Sequence, residues 1–340
     1  MTDGGHRANE TVAVTGATGF VGREIVRELV ERGMRVRALV RDAEKARRVL
    51  PAEPLGDGRI ALVEGGVLEP GVTDALVRDT DAVMHLIGII REAPGGQTFE
   101  RMHVLATQRV IESAEGEQHR RGSALRYCHM SALGVSDEGA SAYQKTKFEA
   151  EGIVRRSRLA WTIFRPGLIH GQDGEFMQMI RDWSMGRAAP WLFLPYFTRV
   201  PAGWEPPLPP RLESPTVSPV FVGDVARAFC DALSRPRSIG EIYPLAGPDR
   251  MTMPELLKSV RDRVPLGRKS MPVIGLPGQA AALKARAASF IGLGDALPFD
   301  EGMALMGAED SVAETVKARD DLGFEPASFA EAFDGYAARL

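Results

Sequence analysis

Short apolar runs alternate with segments of helical periodicity along the first half of the chain. The apolar runs are typical of buried strands and cover residues 11–15, 35–40, 59–63, 81–88, 125–130 and 160–164. Apolar residues recur at helical spacing in the segments between them, of which the clearest end at Gly33 or cover 98–118 and 140–158. Because parallel strands are usually joined by crossover helices, this alternation predicts an α/β protein with a doubly wound parallel sheet.

The pattern changes after Gly171. Residues 190–219 contain nine prolines, so we expect little regular structure there. Aromatic side chains are concentrated in or beside this segment, namely Trp183, Trp191, Phe193, Tyr196, Phe197 and Trp204. Long loops often have a function, and the alternatives here are a lid over a substrate, a surface for a partner, or a packed irregular loop.

Regular elements return beyond the proline-rich segment. A helix that begins near Asp224, a strand at 241–245 and helices that begin near Thr252 and Pro277 predict a smaller α/β lobe. We therefore expect two domains, 1–171 with the parallel sheet and 172–340 with a smaller lobe that completes a site over it. Some elements of the first domain are expected to extend into the second part. The helix after Pro277 is rich in alanine, and an interfacial membrane helix is a weaker alternative for it.

A glycine motif joins the first predicted strand to the first predicted helix. Gly16 permits a tight turn, Gly19 allows close approach of a pyrophosphate, and Gly22 allows the helix to pack on the strand. The start of a helix also offers free N–H groups and a partial positive charge to phosphates. The strand–turn–helix context therefore predicts a dinucleotide site, to which the neighbouring residues Thr18, Phe20 and Val21 also contribute.

The end of the second predicted strand bears on the choice of dinucleotide. NAD-dependent proteins tend to place an acidic residue there, whereas an arginine accommodates the 2′-phosphate of NADP. Arg41 comes first in this chain and Asp42 follows it, where Asp42 can also cap the next helix. We predict that NADP(H) is preferred through the Arg41 guanidinium, with NAD(H) as the alternative.

A second group of residues has the chemistry of proton transfer. Tyr143 and Lys147 are four residues apart on a predicted helix and therefore share one face. A nearby ammonium favours the phenolate, so we expect Lys147 to lower the pKa of Tyr143 from its ordinary value of about 10. Ser131, at the end of the fifth strand, can hydrogen-bond a substrate oxygen. These three residues are the predicted catalytic group for a carbonyl or carbinol substrate.

Composition excludes several other functions. A net charge of −3 gives no reason to expect nucleic acid as a partner, and no segment is long and apolar enough to span a membrane. The polar segment 1–10 lacks a secretory signal, which favours the cytoplasm. No metal site is expected, because no cluster has ligand spacing. The two cysteines and three of the histidines are expected to be packed in the core, namely Cys128, Cys230, His85, His103 and His129.

These motifs resemble those of the short-chain dehydrogenase/reductases, in their extended and atypical, epimerase/dehydratase-like branch. The resemblance rests on 15–22, Ser131, the Tyr143–Lys147 pair, the segments 164–167 and 170–171, and 220–226. It covers nearly the whole chain and implies a Rossmann fold, NAD(P) binding and an oxidoreductase reaction. It also implies that Gly88, Pro166, Tyr143 and Lys147 lie beside the cofactor.

Two segments resemble a narrower subgroup. Residues 85–92 and 129–134 are similar to those of bacterial relatives of the NADPH-binding accessory subunit of respiratory complex I. In that subunit the fold has a structural role. The resemblance therefore implies an alternative to catalysis: an accessory or assembly protein attached peripherally to the inner face of a membrane.

The chain departs from the family pattern at two places. Gly66 stands where the family commonly has an aspartate that contacts adenine, so Val67 or the backbone is expected to make this contact. Only twelve residues separate Ser131 from Tyr143, which weakens the case for a sugar-nucleotide epimerase. We expect an oxidoreductase with an unknown small-molecule substrate, as a monomer or homodimer. The accessory protein and an NADP(H)-sensing regulator remain as alternatives.

Overall fold

A seven-stranded parallel sheet lies at the centre of the protein. The computed structural model describes residues 10–201, 211–290 and 299–340. The sheet has the order β3–β2–β1–β4–β5–β6–β11, and each pair of neighbours is parallel. The predicted doubly wound α/β sheet is therefore confirmed. Its strands are β1 (Thr11–Thr15), β2 (Arg35–Val40), β3 (Ile60–Glu64), β4 (Ala82–His85), β5 (Arg126–Met130), β6 (Ala160–Pro166) and β11 (Glu241–Leu245).

Helices cover both faces of this sheet. In chain order they are α1 (Phe20–Glu31), α2 (Ala43–Val49), α3 (Ala52–Gly56), α4 (Val72–Val77), α5 (Ala106–Arg121), α6 (Ala142–Arg156), α7 (Glu175–Met185), α8 (Val222–Ser234), α9 (Met253–Arg263), α10 (Gly278–Phe290), α11 (Glu301–Met306), α12 (Val316–Leu322) and α13 (Phe329–Asp334). A π-helical turn, Glu100–Leu105, precedes α5. The predicted helix over 98–118 therefore begins with a wider π-helical turn and continues as an α-helix, a change that hydrophobic spacing did not indicate.

The strands are apolar because both of their faces are buried. In β1, Val12 and Val14 pack with α1 and α8 on one side, while Ala13 packs with α4 and α5 on the other. Met84 and Val83 in β4 alternate in the same way. Neither face of these central strands meets solvent, so the carboxyl edge of the sheet is where a ligand can reach the strands.

The last strand of the sheet comes from the second half of the chain. Strand β11 pairs with β6 in register from Glu241↔Thr162 to Leu245↔Pro166. In the described part of the chain, six short strands lie outside the central sheet and form three pairs: β7 (Ile169–His170) with β10 (Val220–Phe221), β8 (Leu194–Thr198) with β13 (Val273–Pro277), and β9 (Thr216–Val217) with β12 (Met251–Thr252).

The expectation that residues 190–219 lack regular structure is wrong for part of that segment. Strand β8 lies inside it, although it contains Pro195, and it pairs in parallel with β13. Because β8 has a strand partner on one side only among the described residues, its proline can lie at an edge, where its missing N–H costs no ladder hydrogen bond. Trp204 falls at 202–210, outside the described residues.

Candidate functional site

The glycine turn between β1 and α1 is built around close backbone contacts. Gly16 adopts a φ of +70°, in the left-handed region that favours glycine. A Cβ on Gly22 would lie 2.1 Å from the carbonyl oxygen of Gly16, so only glycine fits there. The amide of Gly19 donates to the same carbonyl at 3.0 Å. The turn thus directs the free N–H groups of the first turn of α1 toward the carboxyl edge of the sheet.

A groove of about 530 Å³ runs along this edge. Six of the residues predicted to contact a cofactor line it together, namely Gly16, Thr18, Gly19, Arg41, Val67 and Gly88. The other predicted cofactor residues are elsewhere. Phe20 packs its ring against Gly171 and Gly174, and the side chain of Val21 is buried in the core. Only their backbone N–H groups, in the first turn of α1, face an anion at this helix start.

The groove carries more charge than the sequence analysis indicated. Lys45 and Arg101 line it together with Arg41. Lys45 lies in the first turn of α2, which Asp42 caps by accepting a hydrogen bond from the Lys45 amide at 2.9 Å. The sequence contained a signal for this position, because a helix capped by Asp42 places Lys45 in its first turn, beside Arg41. Three cations along one groove suit a ligand with several phosphates.

The missing aspartate near the third strand has a substitute in space. A Cβ on Gly66 would lie 2.8 Å from an oxygen of Glu69, so the Glu69 carboxylate occupies the room beside Gly66. Glu69 and Val67 both line the groove. The family-type contact expected at this place is thus available from a carboxylate three residues further along the chain.

Helix α6 carries Tyr143 and Lys147, and its start is fixed by a capping box between Ser141 and Gln144. The Lys147 ammonium is buried and donates to the carbonyl oxygen of Met130 at 2.8 Å. Burial lowers the pKa of Lys147 to about 8. A Cβ on Gly88 would lie 2.9 Å from the Lys147 nitrogen. The amine therefore lies directly against the backbone of the nucleotide groove.

Tyr143 lines a separate cavity of about 510 Å³, next to Phe99, Arg91 and Glu92. Its ring makes edge contacts with His103 and Phe99, at centroid distances of 5.4 and 6.0 Å. The expectation that Lys147 lowers the pKa of Tyr143 is wrong for this structure. Burial raises the pKa of Tyr143 to about 12, because removing the phenol from water disfavours its charged form.

Ser131 and Pro166 lie at the carboxyl ends of two neighbouring strands, Ser131 directly after β5 and Pro166 as the last residue of β6. The Ser131 amide donates to the carbonyl oxygen of Phe164 at 2.7 Å. The Ser131 hydroxyl is buried and has no hydrogen-bond partner in the part of the chain that the structure describes. Pro166 is buried at the end of β6, and its carbonyl oxygen accepts from the Leu133 amide at 3.0 Å. Neither residue lines the groove itself.

The three histidines that were expected in the core, His85, His103 and His129, are buried there. His85 is fully buried, and its two ring nitrogens lie 2.8 and 3.2 Å from the hydroxyls of Thr15 and Thr107. Burial, with a smaller contribution from the Lys147 charge, lowers the pKa of His85 to about 3. His103 and His129 are buried as well, and both cysteines are buried and free. Among the described residues no group of side chains has the composition of a metal site.

An ion pair holds α6 against the sheet. Arg165, on β6, donates to both oxygens of Glu151 at 2.8 and 2.6 Å, and Glu151 is fully buried. Glu151 lies four residues after Lys147, so Tyr143, Lys147 and Glu151 follow one face of the helix. The pair therefore sets the position of the face that carries the candidate catalytic residues.

The glycine turn and the cations that line the groove have the shape and charge that suit a dinucleotide. Residues 16–182 match the family described as NAD(P)H-binding. This part of the chain is similar to that family, and its parallel sheet with helices on both faces is a Rossmann-like fold.

Two relatives of this chain have different roles, one as a subunit of an NADH dehydrogenase and one as a reductase. The chain is 28% identical over 253 residues to the mitochondrial NADH dehydrogenase (ubiquinone) 1 alpha subcomplex subunit 9 of Arabidopsis thaliana, covering 74% of this chain and 57% of the relative. It is 31% identical over 165 residues to a ceramide reductase of Caulobacter vibrioides, covering 48% of each. The chain thus spans only about half to three-fifths of the length of these relatives.

Solved structures support the fold. The UDP-glucuronic acid 4-epimerase of Bacillus cereus, in complex with UDP-glucuronic acid and NAD, superposes with a TM-score of 0.66 over 95% of this chain and 96% of its own. The sequence identity is 17%, so this likeness concerns the fold alone. In the segments that the structure describes, no helix combines the length and the apolar character needed to cross a membrane.

Proposed function

We propose that the protein is an oxidoreductase that uses NADP(H) to move a hydride to or from a carbonyl or carbinol carbon. The observation that carries this proposal is the position of Lys147. Its amine lies against Gly88 in the groove, and its helix also carries Tyr143 in the adjoining cavity. One helix therefore connects the place for a cofactor with the place for a substrate.

The residues of the groove fit a dinucleotide. The N–H groups at the start of α1 would bind the pyrophosphate, which can approach closely because Gly16 and Gly19 carry no side chains. Arg41 and Lys45 would bind a 2′-phosphate, which supports NADP(H) over NAD(H). Lys147 would bind ribose hydroxyls. When bound, NADP(H) supplies or accepts the hydride.

The proton would come from the phenol of Tyr143. Because its pKa is about 12, the phenol keeps its proton at neutral pH and suits donation to a carbonyl oxygen during reduction. The Lys147 ammonium would stabilise the negative charge that then forms on the phenol oxygen. The Ser131 hydroxyl, which lacks a partner in the described part of the protein, would orient the substrate oxygen.

A screen of aldehydes, ketones and alcohols, followed by NADPH absorbance, tests the activity. We expect Tyr143→Phe to lower kcat by about 10²–10⁴-fold, the usual contribution of a proton-transfer group, with NADPH affinity unchanged. Tyr196→Phe is the matched control, because its hydroxyl lies 3.0 Å from Ser214 in the other lobe. Unchanged turnover in Tyr143→Phe would exclude this role for the residue.

A second candidate is a non-catalytic accessory protein of a membrane-associated electron-transport complex. The similarity to the mitochondrial NADH dehydrogenase subunit favours it. In this case NADPH would be a structural ligand that stabilises the fold by mass action. It would co-purify and exchange slowly, and Tyr143→Phe would leave the cellular function intact. Enrichment of respiratory subunits with the tagged protein, over a cytosolic control, is expected only from this candidate.

A further inference from the structure

A cavity of about 600 Å³ lies in the C-terminal lobe, outside the nucleotide groove. It is bounded by β8, β13 and α10, which the pairing of β8 with β13 brings together. Its wall is aromatic and aliphatic, with Trp183, Trp191, Phe193, Phe197, Leu276 and Phe299 among its lining residues. A volume of this size and an apolar lining are typical of small-molecule sites.

The wall offers almost no hydrogen-bonding groups to a ligand. The indole N–H of Trp183 is already used, since it donates to the carbonyl oxygen of Ala189 at 2.8 Å. Among the described lining residues, Lys284 has the single charged side chain, and its aliphatic stem can cover apolar surface while the ammonium stays in water. A hydrocarbon chain is the ligand that needs no partner from such a wall.

The mouth of the cavity exposes large apolar side chains. Trp191 is 60% exposed and Leu192 is 77% exposed, and both line the cavity. Binding of an apolar ligand that covers this surface would lower the free energy of the protein in water. The Lys284 ammonium beside it favours a neutral or anionic ligand over a cationic one.

This apolar cavity shares two helices with the cavity that contains Tyr143. On α10, Lys284 lines the apolar cavity and Arg286 lines the other. On α11, Met303 lines the apolar cavity, while Gly302 lines the other. A ligand that reaches around this pair of helices would place its two ends in different surroundings, one polar and one apolar.

We propose that the apolar cavity holds the alkyl chain of the molecule that reacts at Tyr143, so that the substrate is a long-chain amphiphile. This inference rests on the proposed oxidoreductase function. The polar cavity receives the end with the carbonyl or carbinol, and the chain extends away from it past α10 and α11. Each methylene that enters the cavity strengthens binding about fourfold, until the space is filled.

Binding is tested separately from turnover, with the whole protein loaded with NADPH. The probe is cis-parinaric acid, a fluorescent fatty acid, displaced by saturated fatty acids of increasing length and by alkylamines of the same lengths. We expect the affinity to rise steeply with chain length and the acids to bind more tightly than the amines. Equal affinities for short and long acids would overturn the assignment of the cavity.

Ala280→Trp places an indole into the cavity from an exposed position on α10. We expect it to weaken parinaric acid binding at least tenfold. Gln279→Trp is the control, because it is also exposed but does not line the cavity. If Ala280→Trp fails to fold, Leu192→Ser removes apolar surface at the mouth and should weaken binding as well. Unchanged binding in a folded variant at either position contradicts the proposal.

The oxidoreductase activity and the chain-binding role are refuted by different results. Methyl ketones of increasing chain length are offered with NADPH, and we expect kcat/KM to rise with length in the natural protein but not in Ala280→Trp. Fatty acid binding at this cavity without reduction of any ketone would refute the oxidoreductase and, with it, the link to a substrate. Reduction of short and long ketones at equal kcat/KM would keep the oxidoreductase and refute the chain-binding role.

Discussion

Gly88 and Lys147 are in contact across the boundary between the nucleotide groove and helix α6. A methyl group added at Gly88 would lie 2.9 Å from the Lys147 nitrogen, which is buried and bonded to the carbonyl oxygen of Met130. The loop after β4 can therefore come this close to the amine only because Gly88 has no side chain. Any cofactor atom near Gly88 also lies near the ammonium.

The contact makes Gly88→Ala a sensitive test of the site. The added methyl group should displace the Lys147 amine, and misplacement of about 1 Å can cost about 10²-fold in turnover. We expect kcat/KM to fall by that order, measured by NADPH absorbance. Gly56→Ala serves as the control, because no atom lies within 4 Å of its added Cβ. Equal activity of the two variants would show that the amine position is unimportant.

Gly22→Ala should affect the fold of the turn itself. Its Cβ would lie 2.1 Å from the Gly16 carbonyl oxygen, a backbone atom that cannot move aside easily. We expect the free energy of unfolding to fall by about 3 kcal/mol or more in urea titrations, as for severe overpacking. Gly116→Ala, in α5 with open space around its Cβ, should instead be stabilising by about 0.5–1 kcal/mol.

Arg41→Ala tests the preference for NADP(H). A guanidinium on a phosphate forms charge-assisted hydrogen bonds, so we expect the Kd for NADPH to rise about tenfold, with that for NADH unchanged. Fluorescence titration measures both constants. Arg48→Ala removes an exposed charge from the same region without touching the groove and should change neither. Tighter binding of NADH than of NADPH by the natural protein would contradict the assignment.

The buried histidines predict a loss of stability in acid. The pKa of His85 is about 3 in the folded protein and near its ordinary value of 6.5 in the unfolded chain, so between these values the unfolded chain binds more protons. Stability therefore falls as the pH drops below 6.5, by about 3 kcal/mol for this group on reaching about pH 4.

Urea unfolding at several pH values measures this dependence. His85→Gln removes the titrating group, so the acid slope should decrease by about one proton. His119→Gln, at an exposed position on α5, should leave the slope unchanged. An unaltered slope in His85→Gln would mean that the ring is protonated in the folded protein.

Local patterns predicted the sheet and the glycine turn because both depend on short segments. The run of apolar residues in β1 and the spacing of Gly16, Gly19 and Gly22 are sufficient to identify a strand, a turn and a helix start. The same holds for the common face of Tyr143 and Lys147, which follows from helical spacing alone.

The properties that could not be predicted depend on tertiary contacts. Burial of the phenol, which raises the pKa of Tyr143, is set by Phe99 and His103 from another element. Glu69 reaches the space beside Gly66 through a turn that no periodicity describes. The strand at 194–198 forms by pairing with β13, a segment far away in the sequence. Proline content is a local property, so it gave the wrong prediction there.

Strand β11 lies far along the sequence from β6, with which it pairs, and this separation has a consequence for synthesis on the ribosome. Strand β6 is complete at Pro166, but its outer neighbour emerges only with Glu241–Leu245. Until then, β6 has an open edge with unpaired backbone groups, the kind of surface that favours aggregation. A nascent chain that stalls between these points needs a chaperone or another chain to cover this edge. Expression of residues 1–171 alone should therefore yield mainly insoluble protein.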